Sequence, residues 1–369
     1  MKTLKTTPKQ DGFFMPAEFE RHSKTYMIWP ERPDVWRCGA FFAQKTFAEV
    51  ALSIAKYEPT VVLASSIQYE NAKNKLSNSD QISVIEMSSN DSWVRDTGAT
   101  FVKNQEGILR GIDWKFNAWG GLTDGVYFPW DKDDLIAQKI CDLENVDRYR
   151  LDDFILEGGS IHVDGKGTAL TTESCLLSYG RNPSMTKEAI EMKLKLYLNV
   201  EKVIWLKRGI YLDETNEHID NIACFVRPGV IALAWTDDTN DPQHELSKSC
   251  YEILSNETDA NGQKLEIHKI PLPKPQILTK QESTNTAFCS TFQTKNSGYR
   301  LSASYVNYYV CNNAVIMPAF DDSSDKKAKE ILQKLYPNRD IIQIYSREIL
   351  LGGGNIHCIT QQIPERLQA

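Results

Sequence analysis

Five times along the chain an amphipathic helix is followed by a short apolar strand, and this recurrence limits the available folds more than any other feature. Apolar residues at helical spacing mark Phe47, Val50, Ala51 and Ile54, then Leu135, Ile136, Ile140 and Leu143, then Ile190, Leu194 and Leu198. Leu246, Cys250 and Ile253 mark a fourth helix, and Ala328, Ile331, Leu332 and Leu335 a fifth. The following strands are expected at 61–63, 150–154, 203–205, 267–270 and 341–345. Before four of the helices, two further strands meet at turn-forming residues. These pairs are 93–102 with 108–114, 157–163 with 169–172, 218–226 with 230–235, and 304–310 with 314–318.

Four strand-strand-helix-strand units result, and the fifth is split between the chain ends. Residues 355–360 form a strand with no helix after it, while 26–29 form one with no partner before it. Pairing the two would complete a closed ring, since each repeat buries its apolar face on a neighbour and closure removes unpaired edges. Asp96, Glu157 and His218 stand at equal 61-residue intervals, as equivalent strand starts facing one axis would. Residues 1–369 then make a single α/β domain, although about 150 residues per domain would allow two. A doubly wound open sheet is the alternative that βα alternation also permits.

The strand expected at 355–360 carries Cys358, preceded by Gly352-Gly353-Gly354-Asn355. A thiol is a nucleophile as its thiolate, which a histidine or cation favours, and His218 is the natural partner. On a strand His218 and Asp220 would face the same way. With Asp96 and Glu157 they surround the thiol with carboxylates, whose mutual repulsion calls for a cationic ligand. A guanidinium fits, because its planar fork of N–H groups matches carboxylates and its central carbon is electrophilic. Zinc is the competing reading of a His, Asp and Cys set, but no H-E-x-x-H or clustered Cys/His spacing supports it. The glycine runs match neither nucleotide-binding pattern.

At Met15-Pro16-Ala17-Glu18, 93–98, Glu157-Gly158-Gly159, 216–221 and 352–364 the chain resembles the agmatine deiminases of the guanidine-modifying superfamily. The resemblance implies a fivefold pseudosymmetric α/β propeller of ββαβ modules, closed by pairing of the N- and C-terminal strands. It also implies hydrolysis of agmatine to N-carbamoylputrescine and ammonia without metal or cofactor, by a homo-oligomer, a dimer or tetramer. Carried over residue by residue, it makes Cys358 the nucleophile and His218 the general acid/base. Asp96 and Asp220 become guanidinium ligands, and Glu157 a support for His218 and substrate. Glu214 is a candidate for the substrate's terminal ammonium, with Trp93 and Trp119 lining its aliphatic stem. The remaining histidines, 22, 162, 244, 268 and 357, have no comparable constellation and read as structural or surface residues.

A net charge of −7 disfavours nucleic acid and anionic membrane as partners. No stretch approaches the ~18 apolar residues of a membrane span, and the N-terminus lacks an apolar signal core, so a cytoplasmic protein is expected. Eight cysteines without a C-x-x-C pair then read as reduced packing residues.

Overall fold

The computed structural model describes residues 1–284, 286–287 and 295–366. The fold is mixed α/β, and its helices form where the apolar spacing requires. Phe41–Ile54 buries Ala43, Phe47, Val50, Ala51 and Ile54 along one stripe. Lys187–Leu198 buries Ile190, Leu194 and Leu198; Thr186 caps it by accepting from Ala189 N, and Asn199 ends it in the left-handed region at φ 54°. Ile136–Leu143, Gln243–Asn256 and Ser324–Leu335 complete the five expected helices.

Each helix crosses between two parallel strands. His22–Ile28 pairs with Thr60–Ala64, Leu109–Lys115 with Arg148–Ile155, and Thr168–Thr172 with Lys202–Leu206. Val230–Trp235 pairs with Glu266–Pro271, and Ala314–Ala319 with Asp340–Tyr345. The first strand of every pair also takes an antiparallel neighbour, giving five sheets of three or four strands beside one two-stranded pair. In four sheets that neighbour precedes it in the chain: Thr100–Lys103, His162–Val163, Ala223–Arg227 and Tyr309–Cys311. In the fifth it comes from the other chain end, Gln361–Pro364 lying antiparallel to His22–Ile28 with Gln361 opposite Tyr26.

The strand starts differ from expectation in a way that matters for the site. Residues 93–99, 157–161 and 218–222 do not lie in strands. Val94–Thr97 and Ile219–Ile222 are single helical turns, and Gly158–Ser160 is a 3-10 turn. Residues 356–359 likewise form a turn, and the closing strand begins only at Gln361. Local hydrogen bonds favour these turns over a ladder: Thr97 Oγ1 donates to Trp93 O, Thr360 Oγ1 to Ile356 O, and His218 N to Thr215 Oγ1. The terminal sheet also gains Ile82–Glu86, and Thr3–Leu4 joins Arg148–Tyr149, neither of which the periodicity marked.

The seven described cysteines are free and all but Cys38 are buried; Cys289 lies outside the described residues. No helix among the described residues is long and apolar enough to cross a membrane.

Candidate active site

The four turns deliver their polar side chains to one buried place. Asp96 accepts from Gly159 N at 2.8 Å through Oδ1 and from Trp119 Nε1 at 2.9 Å through Oδ2. A Cβ on Gly159 would lie 2.6 Å from His218 Nδ1, 2.8 Å from Asp220 Oδ2 and 2.9 Å from Asp96 Oδ1. Only glycine leaves room for all three. His218 and Asp220 are brought together by a helical turn rather than by the shared face of a strand.

His218 lies between acids. Its Nδ1 is 4.0 Å from Asp96 Oδ2 and its Nε2 is 3.5 Å from Glu157 Oε2, and both of the latter atoms are buried without a hydrogen bond. Burial opposes a charge on the ring, but Asp96, Cys175 and Glu157 outweigh it and raise its pKa well above the usual range. Glu157 is fully buried, and although desolvation works against its charge, Arg181 and His218 hold its pKa low. Arg181 Nε donates to Glu157 Oε1 at 3.2 Å and its Nη2 to Thr215 O at 2.6 Å, with a further bond to Asn216. Asp96 is pushed up by burial, with Asp220 and Glu157 adding to the effect against His218.

Cys358 sits across from this group. Asn307 Nδ2 donates to its Sγ at 3.3 Å, and the thiol is 3.6 Å from Asp220 Oδ2. Burial, then Asp220 and Asp96, push its pKa well up. No hydrogen bond joins it to His218 among the described residues, so the expected pairing with His218 is not the resting contact. Asp220 and Asn307 are its polar neighbours instead.

A cavity of about 420 Å³ opens onto the thiol, lined by Asp91, Trp93, Asp96, Trp119, Glu214, Cys358 and the glycines 352–354, among others. Asp91 accepts from Trp36 Nε1 and Trp93 Nε1, both at 2.9 Å, which fixes the Trp93 ring. Trp93 and Trp119 meet edge to face with centroids 6.4 Å apart. Glu214 reaches the cavity but is not free, since Lys295 Nζ lies 2.7 Å from its Oε1. The glycine run lines the cavity and also packs tightly: a Cβ on Gly354 would stand 2.6 Å from the Trp93 ring and 3.0 Å from Cys358 Sγ.

The structure thus gathers Asp96, Glu157, His218, Asp220 and Cys358, with Trp93, Trp119 and Glu214 in the cavity lining. His22, His162 and His357 are buried, in keeping with structural histidines, but His357 does have a partner constellation, contacting Asp220 directly at 2.9 Å. Asn307, Asp91, Arg181 and Glu18 were missed as well. Glu18 stood inside one of the resemblance-bearing segments, and an acid there was the available signal; the others carry no local mark. Among the described residues, Glu157, Cys175 and His218 are the group whose ligand atoms lie close enough together for a metal, within 4.8 Å of one another. It excludes Cys358, and Arg181 already neutralises its carboxylate.

Comparison with known proteins places this geometry. Residues 14–364 match the family model described as Porphyromonas-type peptidyl-arginine deiminase. A provisionally named agmatine deiminase 1 of Listeria monocytogenes is 62% identical over 364 residues, covering 99% of this chain and 100% of its own. The agmatine deiminase of Pseudomonas aeruginosa is 51% identical over 364 residues, covering 99% of each. A solved structure of Enterococcus faecalis agmatine deiminase catalysing its reaction superposes with a TM-score of 0.97 at 50% identity, covering 100% of both chains. The chain accordingly belongs to the Porphyromonas-type peptidyl-arginine deiminase family, within the guanidine-modifying superfamily that includes the agmatine deiminases.

Proposed function

We propose that the chain hydrolyses agmatine to N-carbamoylputrescine and ammonia through a covalent intermediate on Cys358. The observation that carries this reading is a thiol facing two buried aspartates, Asp96 and Asp220, at the end of a cavity with acidic and aromatic walls. A guanidinium bound between the aspartates would bring its carbon to Cys358 Sγ. With that cation bound the thiol releases its proton to solvent, and the thiolate attacks to form a C–S bond and a tetrahedral adduct. His218, protonated by its acidic surroundings, gives its proton to the departing nitrogen, and ammonia leaves as the C–N bond breaks. Water then gives a proton to His218 and attacks the amidino-thioether carbon. The C–S bond breaks and the new hydroxyl loses its proton to solvent, leaving the ureido product and the thiolate. Glu157, anchored by Arg181, orients His218 and stabilises its charge.

The same reading gives Trp93 and Trp119 the aliphatic stem and Glu214 the terminal ammonium, with Lys295 sharing the Glu214 carboxylate. The described cavity lining carries the acids Asp91, Asp96 and Glu214, with Lys295 paired to Glu214 at its edge, and this acidic balance favours the dication agmatine over arginine. The five sheets and the paired chain ends support a fivefold α/β propeller forming one domain. Cytoplasmic residence and a homo-oligomeric state belong to this reading too, to be tested by fractionation and by light scattering.

Agmatine, free arginine and a peptide ending in arginine, offered to the purified protein while ammonia and ureido product are measured, test the substrate. Agmatine should be turned over fastest, and faster release from arginine would overturn the proposal. Activity should survive a chelator; loss that zinc alone restores would revive the metal reading. Cys358→Ser should abolish turnover while agmatine still binds by calorimetry. Rapid turnover by that variant would exclude a covalent route.

A further inference from the structure

His357 adjoins the thiol in sequence, yet its ring lies between two carboxylates. Nδ1 is 2.9 Å from Asp220 Oδ2 and Nε2 is 2.8 Å from Glu18 Oε2, with all three residues buried. A neutral imidazole has one N–H and one lone pair, whereas an ionised carboxylate only accepts. One of the two contacts would then oppose lone pairs in a desolvated place. An imidazolium donates to both.

The surrounding charges are few. Arg95 Nη1 donates to Glu18 Oε1 at 3.3 Å and its Nε to His357 O at 3.4 Å, while His162 Nε2 is 3.8 Å from Glu18 Oε2. Burial and then Arg95 oppose a charge on His357, but Glu18 and Asp220 outweigh them and raise its pKa. Burial pushes His162 down to about 4, which leaves it neutral. On the far side, Asp220 spends Oδ2 on His357 and keeps Oδ1 buried without a partner.

We propose that Glu18 and His357 form a positioning pair: His357, held between the two carboxylates by Glu18, keeps Asp220 turned so that its free Oδ1 meets the substrate guanidinium. The assignment rests on the agmatine deiminase reading of the site. Neither residue touches substrate. Both act through Asp220.

Glu18→Gln keeps the shape and removes the charge. It should raise the KM for agmatine about tenfold or more, with a smaller change in kcat. Because His357 would then lose its proton earlier, the alkaline limb of kcat/KM should move down by about one pH unit. Glu18→Asp, which restores the charge, should recover part of both changes. A purely structural role would lower the melting temperature and leave KM and the limb at wild-type values, and that result in Glu18→Gln overturns the proposal. Histidine ring ¹⁵N NMR gives a readout that needs no turnover. Two imidazolium signals, from His218 and His357, should persist at about pH 8, above the ordinary histidine range, and one of them should vanish in His357→Gln. A neutral His357 there would overturn the proposal even in an active enzyme. If agmatine releases no ammonia while that signal is present, the assigned reaction fails and the grip on Asp220 stands.

Discussion

Gly159 is bare because His218, Asp220 and Asp96 occupy the space a methyl group would need. Gly159→Ala should therefore spread the three groups and lower kcat/KM about a hundredfold, as displacements near 1 Å do at reacting centres. Activity within a factor of two of wild type, in a variant of unchanged melting temperature, would show that the site has slack. The thiol makes a second prediction at this scale. Burial and the two aspartates keep Cys358 protonated in the empty site, so iodoacetamide inactivation should be slow at neutral pH and accelerate on the alkaline side. A bound cation acts in the opposite direction: it favours the thiolate and lowers the thiol pKa. The acid limb of kcat, which reports the substrate complex, should thus lie at lower pH than that of kcat/KM. Coincident limbs would remove the substrate's charge from the account. Residues of this kind were legible when their type was rare in context, as with a cysteine after three glycines. His357 was not, because its partners Glu18 and Asp220 lie 339 and 137 positions away.

At the scale of elements, helical periodicity located all five crossover helices, since a buried stripe needs apolar residues one turn apart. Their ends rest on local caps, and Thr186→Ala should cost about 1 kcal/mol, read as a lower urea midpoint at unchanged slope. An unchanged midpoint would mean that the Thr186 bond to Ala189 N contributes nothing net. The turns that carry the site were misread as strands for a physical reason. Four-residue segments such as Val94–Thr97 and Ile219–Ile222 are too short to display a period. Beside their local side-chain bonds, contacts with distant parts of the chain hold them, such as Arg95 N donating to Cys358 O at 3.2 Å.

Across the whole molecule, the pairing of Gln361–Pro364 with His22–Ile28 ties the two chain ends together. Removing 350–369 would delete this strand with the nucleophile and expose the backbone edge of His22–Ile28. The truncated chain should lose cooperative unfolding by circular dichroism and aggregate. A truncated protein with native melting behaviour would count against closure by the termini. Helices, crossover strands and the presence of a thiol among acids were all written in the sequence, because periodicity and side-chain chemistry are local properties. Only the tertiary structure decided which groups share the site. Turns replaced strand starts, Asn307 and Asp220 rather than His218 face the resting thiol, and Lys295 holds Glu214. Such contacts join residues from distant parts of the chain, and their geometry exists only once the sheets have packed.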